Sequence, residues 1–211
     1  MTYTAGERWA DRVGHGLGLA GSILGLVFLV MIAARYDSAR MVTSFAIYGG
    51  VLVVSYLVSA LYHDWPGRRI KSVLRVIDHV AIYLLIAATY LPVTLVSLKG
   101  PWGWSLFGIE CGFAALGIAL KLLYPNRYEG VSIALYLGMG WAGLIAIWQL
   151  IENVPWPGLV LMIAGGVLFT LGVFFHARTR FRYHNLVWHL FVLAGAACHV
   201  CMTLFYIRPI G

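Results

Sequence analysis

The chain alternates between long apolar runs and short polar connections. Seven of the runs are long enough to cross about 30 Å of hydrocarbon as a helix, which takes about 20 residues. They cover roughly residues 13–34, 41–63, 76–98, 103–122, 131–150, 157–175 and 184–207. Because only short loops separate them, the pattern predicts one all-α membrane domain over residues 1–211, a bundle of seven transmembrane helices.

The composition supports a membrane protein. Hydrophobic residues make up 61% of the chain, charged residues only 11%, and the mean hydropathy is +0.84. The net charge of +7 does not indicate nucleic-acid binding, because the Lys and Arg residues occupy gaps between apolar runs instead of a stripe with interleaved aromatic residues. The expected surroundings and partners are therefore membrane lipids, with no nucleic acid.

The basic residues also predict the orientation of the bundle. Eleven of the fifteen Lys and Arg residues fall on the side that holds the N-terminus, and four fall on the other side. Since basic residues in short loops favour the cytoplasmic side, the N-terminus is predicted to be cytoplasmic and the C-terminus to lie outside.

Polar side chains within the apolar runs gather at the predicted cytoplasmic end. An unpaired polar group in hydrocarbon costs several kcal/mol, so such residues are candidates for function. The first span carries His15 in its first turns, the second ends with Ser59 and His63, the third opens with Asp78 and His79, and the seventh opens with His184, Asn185 and His189.

These residue types are those of a zinc site. Neutral imidazole binds zinc well, and a catalytic site needs about three protein ligands and an open position. His63 and His189, with one more donor from the start of the seventh span, would supply the ligands, while Asp78 and Ser59 would orient water or substrate. A structural polar network of the same residues is the alternative from spacing alone. Glu110, in the fourth span, has no evident partner.

Four sequence blocks resemble the hemolysin III group of bacterial membrane proteins, within the progestin and adipoQ receptor superfamily. They are "ERWADRVGHGLG" at 7–18, "SALYH" at 59–63, "DHVAIYLLIAATYLP" at 78–92 and "WHLFVLAGAACH" at 188–199. The resemblance implies a seven-helix fold in the bacterial inner membrane, with zinc near the cytoplasmic face. It also implies that His63 and His189 are zinc ligands and that Asp78 holds the water at the metal. Ser59 matches the serine that the family has beside these residues.

One zinc ligand of the family that the chain resembles has no histidine at the matching position here. The family pattern places a second histidine four residues before the position of His189, but this chain has Asn185 there, and the nearest imidazole is His184. On a regular helix Asn185 shares a face with His189, whereas His184 would have to leave helical geometry at the first turn. An amide oxygen is a weak zinc ligand, so His184 is preferred and Asn185 remains the alternative.

Three functions fit these observations. The leading hypothesis is a zinc-dependent protein of membrane lipid homeostasis that hydrolyses a lipid amide or ester, as the resemblance of the superfamily to alkaline ceramidases implies. The second is a non-enzymatic sensor or regulator in which the metal is structural. The third, a pore-forming cytolysin, is disfavoured because the spans carry few polar residues suited to an aqueous path.

Overall fold

The computed structural model describes residues 4–98, 100–125, 127–177 and 183–209. Within these ranges the chain forms seven helices that are long and apolar enough to cross a membrane, which confirms the predicted fold class. They are α1 (Ala5–Ala33), α2 (Ala39–Asp64), α3 (Arg68–Leu98), α4 (Gly100–Leu123), α5 (Glu129–Asn153), α6 (Trp156–Ala177) and α7 (His184–Tyr206). Four of the basic residues used for the orientation, Lys99, Arg178, Arg180 and Arg182, lie outside the described residues.

Local signals extend the helices beyond their apolar runs. At the start of α1, Thr4 and Glu7 form a capping box: the Glu7 backbone N–H donates to Thr4 Oγ1 at 3.3 Å, and the Thr4 N–H donates to Glu7 Oε2 at 2.8 Å. Ser38 caps α2 in a similar way, accepting from the Met41 N–H. Because these caps satisfy backbone groups in water, the polar turns that precede the hydrocarbon remain helical.

The third helix lies at the centre of the bundle. In its most apolar 18-residue stretch, 56% of the residues are buried by protein, against 22–39% for the other six helices. Large side chains such as Phe45 and Tyr48 from α2 and Tyr83 from α3 are fully buried. Apolar residues on the outer faces stay exposed, for example Leu24 and Phe28 of α1, as expected for a surface that contacts lipid.

The fifth helix is interrupted by a short 3-10 segment, Ala142–Ala146. The interruption is paired with Tyr90 of α3, whose hydroxyl lies 2.9 Å from the Met139 carbonyl oxygen and accepts a hydrogen bond from the Gly143 N–H at 3.1 Å. Irregular backbone at membrane depth is tolerated only where protein satisfies its polar groups. The Tyr90 hydroxyl supplies that compensation.

The first and last helices pack against each other and close the bundle. At the next interface, α6 and α7 approach closely through glycines: a Cβ on Gly195 would lie 3.2 Å from the Gly165 carbonyl oxygen. Four helix termini therefore meet at the end of the bundle that holds the N-terminus, hereafter the N-terminal end. They are the starts of α1, α3 and α7 and the end of α2, and they carry the polar residues singled out above.

Candidate metal centre

Three histidines from three helices meet at the N-terminal end. His15 of α1, His63 of α2 and His189 of α7 each offer a ring nitrogen, and these nitrogens all lie within 4.8 Å of one another. The ring centroids are 4.7 Å apart for His15 and His63, 4.2 Å for His15 and His189, and 5.2 Å for His63 and His189. His15 is buried and the other two are half-buried, so the group is shielded from bulk water.

Backbone contacts orient two of the three rings. Nδ1 of His15 lies 2.6 Å from the Asp11 carbonyl oxygen, and Nδ1 of His63 lies 2.9 Å from the Ser59 carbonyl oxygen, each one turn earlier in its helix. A carbonyl only accepts, so in both rings Nδ1 carries a hydrogen, which leaves Nε2 as the nitrogen available to a metal. A metal-binding histidine is typically oriented in this way by its second nitrogen.

The third ring carries a buried nitrogen that lacks a hydrogen bond. Nε2 of His189 is fully buried and has no hydrogen-bond partner among the described residues. Such an atom carries a penalty of about 1–3 kcal/mol unless something occupies its lone pair or takes its hydrogen. Because ring nitrogens of His15 and His63 are its neighbours, a shared metal ion would occupy this lone pair.

The spacing of the nitrogens fits zinc after a small closure. Tetrahedral zinc with bonds of about 2.0–2.1 Å separates its nitrogen ligands by about 3.3–3.4 Å. With every nitrogen within 4.8 Å of the others, no pair must close by more than about 1.5 Å. Side-chain torsions of the two half-buried histidines can supply this movement.

Two carboxylates flank the imidazoles. Asp11, one turn before His15 in α1, is 8% exposed and interacts with that ring. Asp78 of α3 interacts with the Ser59 side chain. The Ser59 hydroxyl also lies 3.4 Å from Nε2 of His15, so Ser59 connects the second carboxylate to the histidine group. Carboxyl and imidazole groups are donor types that a divalent cation such as zinc binds.

Contacts between α1 and α7 form a ladder of three polar pairs, hereafter the α1–α7 ladder. Its α1 members, Glu7, Asp11 and His15, are spaced by four residues and share one face of the helix. Glu7 Oε1 accepts from the Tyr183 N–H at 3.2 Å, Asp11 Oδ2 accepts from Asn185 Nδ2 at 3.0 Å, and His15 packs edge-on against His189. The ladder therefore fixes the register of His189 against His15.

The structure brings His63, His189, Ser59 and Asp78 together, as expected from their common depth, but it takes the third imidazole from α1. Asn185 lies within the site: its amide nitrogen is bound to Asp11, and the same amide interacts with His63. His184 is not one of the three clustered histidines. It interacts with Asp11 and lies near His176 of α6.

The sequence predicts that His15 of α1 lies at this depth, but spacing within the seventh span does not identify it as the third imidazole. The sequence does contain a signal, since Glu7, Asp11 and His15 recur every four residues at the start of a helix that is mostly apolar after them. Asp11 precedes the first apolar run, so the hydropathy pattern alone does not place it beside residues within the membrane.

Comparison with known proteins agrees with this architecture. The sequence model of the family described as haemolysin-III related matches residues 9–200. The chain belongs to this family. It is 37% identical to Hemolysin-3 of Bacillus cereus over 209 residues, which cover 99% of this chain and 95% of the relative. It is 39% identical to the Hemolysin-3 homolog of Bacillus subtilis (strain 168) over 204 residues, which cover 97% and 96%.

A more distant likeness extends beyond bacteria. This haemolysin III family chain is 28% identical to the human monocyte to macrophage differentiation factor over 202 residues, which cover 93% of this chain and 82% of the human protein. The resemblance to the hemolysin III group that the four sequence blocks indicated is thus confirmed, and the chain is a multi-pass membrane protein.

Two buried polar groups of this haemolysin III family chain lie away from the histidine group. Both carboxylate oxygens of Glu110 in α4 are buried without a hydrogen-bond partner among the described residues, and the side chain is 0% exposed. Nε2 of His199 in α7 is also buried and has no hydrogen-bond partner among the described residues, and its ring packs against Phe169. Neither contributes to the three-histidine cluster.

Proposed function

We propose that this protein is a zinc-dependent hydrolase of a lipid amide or ester, acting in lipid homeostasis of the bacterial inner membrane. The observation that carries the proposal is the group of three imidazoles, His15, His63 and His189, whose ring nitrogens lie within 4.8 Å of one another. Catalytic zinc sites use three protein ligands and leave one position open, whereas structural sites are closed by four. Among the described residues, no further His, Cys, Asp or Glu belongs to the group.

The three histidines would hold the metal through their clustered ring nitrogens. When bound there, zinc supplies a Lewis acid that polarises a carbonyl and brings the pKa of water to around 7. No nucleophilic side chain is then required. This agrees with the Ser59 hydroxyl, which is already engaged with His15 and Asp78.

Asp78 and Ser59 would act on water and substrate. The carboxylate of Asp78 accepts the proton from the attacking water and returns it to the departing nitrogen or oxygen, which is general base and then general acid catalysis. Ser59, held between His15 and Asp78, orients the lipid carbonyl or the water by hydrogen bonding. Asp11 and Asn185 stay hydrogen-bonded to each other in the α1–α7 ladder, which holds the histidines of α1 and α7 in position.

A second function, that of a non-enzymatic sensor with a structural metal, is favoured by one observation. The three histidines come from α1, α2 and α7, so a bound ion would join the first and last helices of the bundle. In that case the metal would stabilise the closed bundle and Asp78 would have no chemical role.

The test is an assay of purified protein in liposomes against a ceramide and an acyl-ester lipid. We expect product release that stops with a chelator and returns with added zinc. Asp78→Asn should abolish turnover while zinc stays bound, because the carboxylate transfers the proton and is not a metal ligand. The matched control is His79→Ala, which removes the neighbouring imidazole in α3. Full zinc occupancy without turnover of either lipid class would reject the hydrolase and leave the sensor.

A further inference from the structure

A second polar site lies beside the metal centre, in a cleft of about 590 Å³ at the N-terminal end. The cleft is formed by the end of α2, the first turns of α3 and the segment that follows α4. Three cations line it, Arg68, Lys71 and Arg75, together with Tyr62 and Ser72. The cleft is open to the surface and is not an enclosed cavity.

The described residues that line this cleft carry positive charge only. No carboxylate is found among the described residues that line it. Glu129 approaches from α5, but its two oxygens are shared by Arg75 at 3.3 Å and by the buried Lys121 at 2.8 Å. Lys71 donates to the carbonyl oxygen of His63 at 3.0 Å, which is a neutral acceptor.

The position of the cations in α3 increases their repulsion. Arg68 and Lys71 lie in the first turn, where the helix dipole already places partial positive charge, and that turn contains no acidic residue. Gly67 precedes the helix and provides no side-chain cap. An anion in the cleft would relieve both the repulsion between side chains and their repulsion from the dipole.

The wall of the cleft continues as an apolar strip on α3. Val73 and Val76 line the cleft, and Ile70, Val73 and Ile77 are 49%, 56% and 43% exposed. Residues 70, 73 and 77 share one helical face, which leads from the cationic turn into the predicted hydrocarbon depth. The ligand that matches a cationic cleft with an adjoining apolar strip carries a phosphate on an acyl chain.

From this arrangement we infer that the cleft binds the phosphate headgroup of an anionic phospholipid, with its acyl chain along the strip formed by Ile70, Val73 and Ile77. Basic clefts between membrane helices on the cytoplasmic side commonly bind such headgroups. Guanidinium groups suit phosphate oxygens because they donate in a planar fork.

The cleft also contacts the metal centre. Tyr62 packs edge-on against His63 with ring centroids 4.7 Å apart, and Lys71 is bonded to the backbone of the same histidine. A bound headgroup would therefore hold the end of α2 that carries one of the three clustered imidazoles. Binding in the cleft does not itself require a metal, so it can be tested separately from the proposed hydrolase.

The experiment is native mass spectrometry of the full-length protein in detergent, titrated with phosphatidylglycerol or phosphatidylcholine. Each surface cation contributes about a fivefold gain in affinity for an anionic lipid. We expect Arg68→Gln and Lys71→Gln each to weaken phosphatidylglycerol binding about fivefold, and phosphatidylcholine binding to be unchanged. The matched control is Arg69→Gln, which removes the same charge from the same turn but from a residue that does not line the cleft.

Three results would overturn the inference. Equal losses in Arg68→Gln and Arg69→Gln would show a diffuse surface-charge effect instead of a site. Wild-type binding in both Arg68→Gln and Lys71→Gln would show that the lipid binds elsewhere. Displacement of phosphatidylglycerol by millimolar inorganic phosphate, with no dependence on the acyl chain, would assign the cleft to a soluble phosphate compound instead of a lipid. Circular dichroism of each variant checks that the helices are intact.

Discussion

Replacing His15 by alanine should remove high-affinity zinc binding, although this histidine lies outside the helix expected to supply the third ligand. His15 is 4% exposed, its Nδ1 is fixed by the Asp11 carbonyl oxygen, and its ring contacts both His63 and His189. Its loss leaves two imidazoles, and the buried Nε2 of His189 then has one potential metal-sharing neighbour instead of two.

The magnitude follows from ligand-linked stability. At a free zinc concentration of 100 times the dissociation constant, binding adds about 2.7 kcal/mol to the free energy of unfolding. For a chain of this size, 1 kcal/mol corresponds to about 2–4 °C in melting temperature, so wild type should gain about 5–10 °C. Loss of a residue that hydrogen-bonds to a metal ligand already lowers metal affinity about 10–100-fold. Loss of the ligand itself should therefore lower the affinity about 100-fold or more. The same zinc concentration would then add about 0.4 kcal/mol, or about 1 °C.

The assay compares melting temperatures with and without zinc for each purified variant, together with zinc bound per chain. Since each variant is its own reference, any loss of packing in the apo protein does not enter the comparison. His79→Ala is the control and should keep the wild-type shift, because Nδ1 of His79 is bonded to the Arg75 carbonyl oxygen away from the group. The reasoning is refuted if His15→Ala keeps the full shift while His184→Ala loses it.

Further outcomes are expected from the same structure. Asn185→Ala should weaken zinc binding about 10–100-fold without abolishing it, because the amide supports the ligands through Asp11; unchanged affinity in a zinc titration would contradict this. His63→Ala should lose both zinc and activity while the protein still folds, as measured by metal content and size-exclusion profile. Glu110→Leu should raise the free energy of unfolding by about 1–3 kcal/mol, because it removes buried unpartnered oxygens; a lower midpoint in chemical denaturation would show that the carboxyl has a role. A reporter fused after Gly211 should be active only outside the cytoplasm, and cytoplasmic activity would reverse the predicted topology.

The fold could be predicted from the sequence because a single constraint dominates it. A helix is the only way for an isolated segment to satisfy its backbone in hydrocarbon, so the apolar runs identify the seven helices. The runs mark the hydrocarbon and not the helix ends, which depend on caps such as Thr4 and Ser38. The 3-10 interruption of α5 depends on a tyrosine of another helix, and no local pattern contains that information.

The site could be predicted only in part, for a related reason. Depth along each span brings Ser59, His63, Asp78 and His189 to one level, because the rise per residue of a helix is fixed. Rotation of one helix about its axis relative to another is set by packing, and this decides which imidazole completes the group. Here Asn185 binds Asp11, and that contact fixes how α7 faces α1.

The α1–α7 ladder has a consequence for biogenesis. The elements that bring His15 and His189 together are separated by nearly the whole chain, so during synthesis α1 and α2 enter the membrane long before α7 can meet them. Until then Asp11 has no Asn185 to bind, and the first two histidines have no third imidazole. A metal ion at the proposed site would be retained only by a chain whose last helix has been inserted in the correct register. The histidine group would thus distinguish finished bundles from truncated ones.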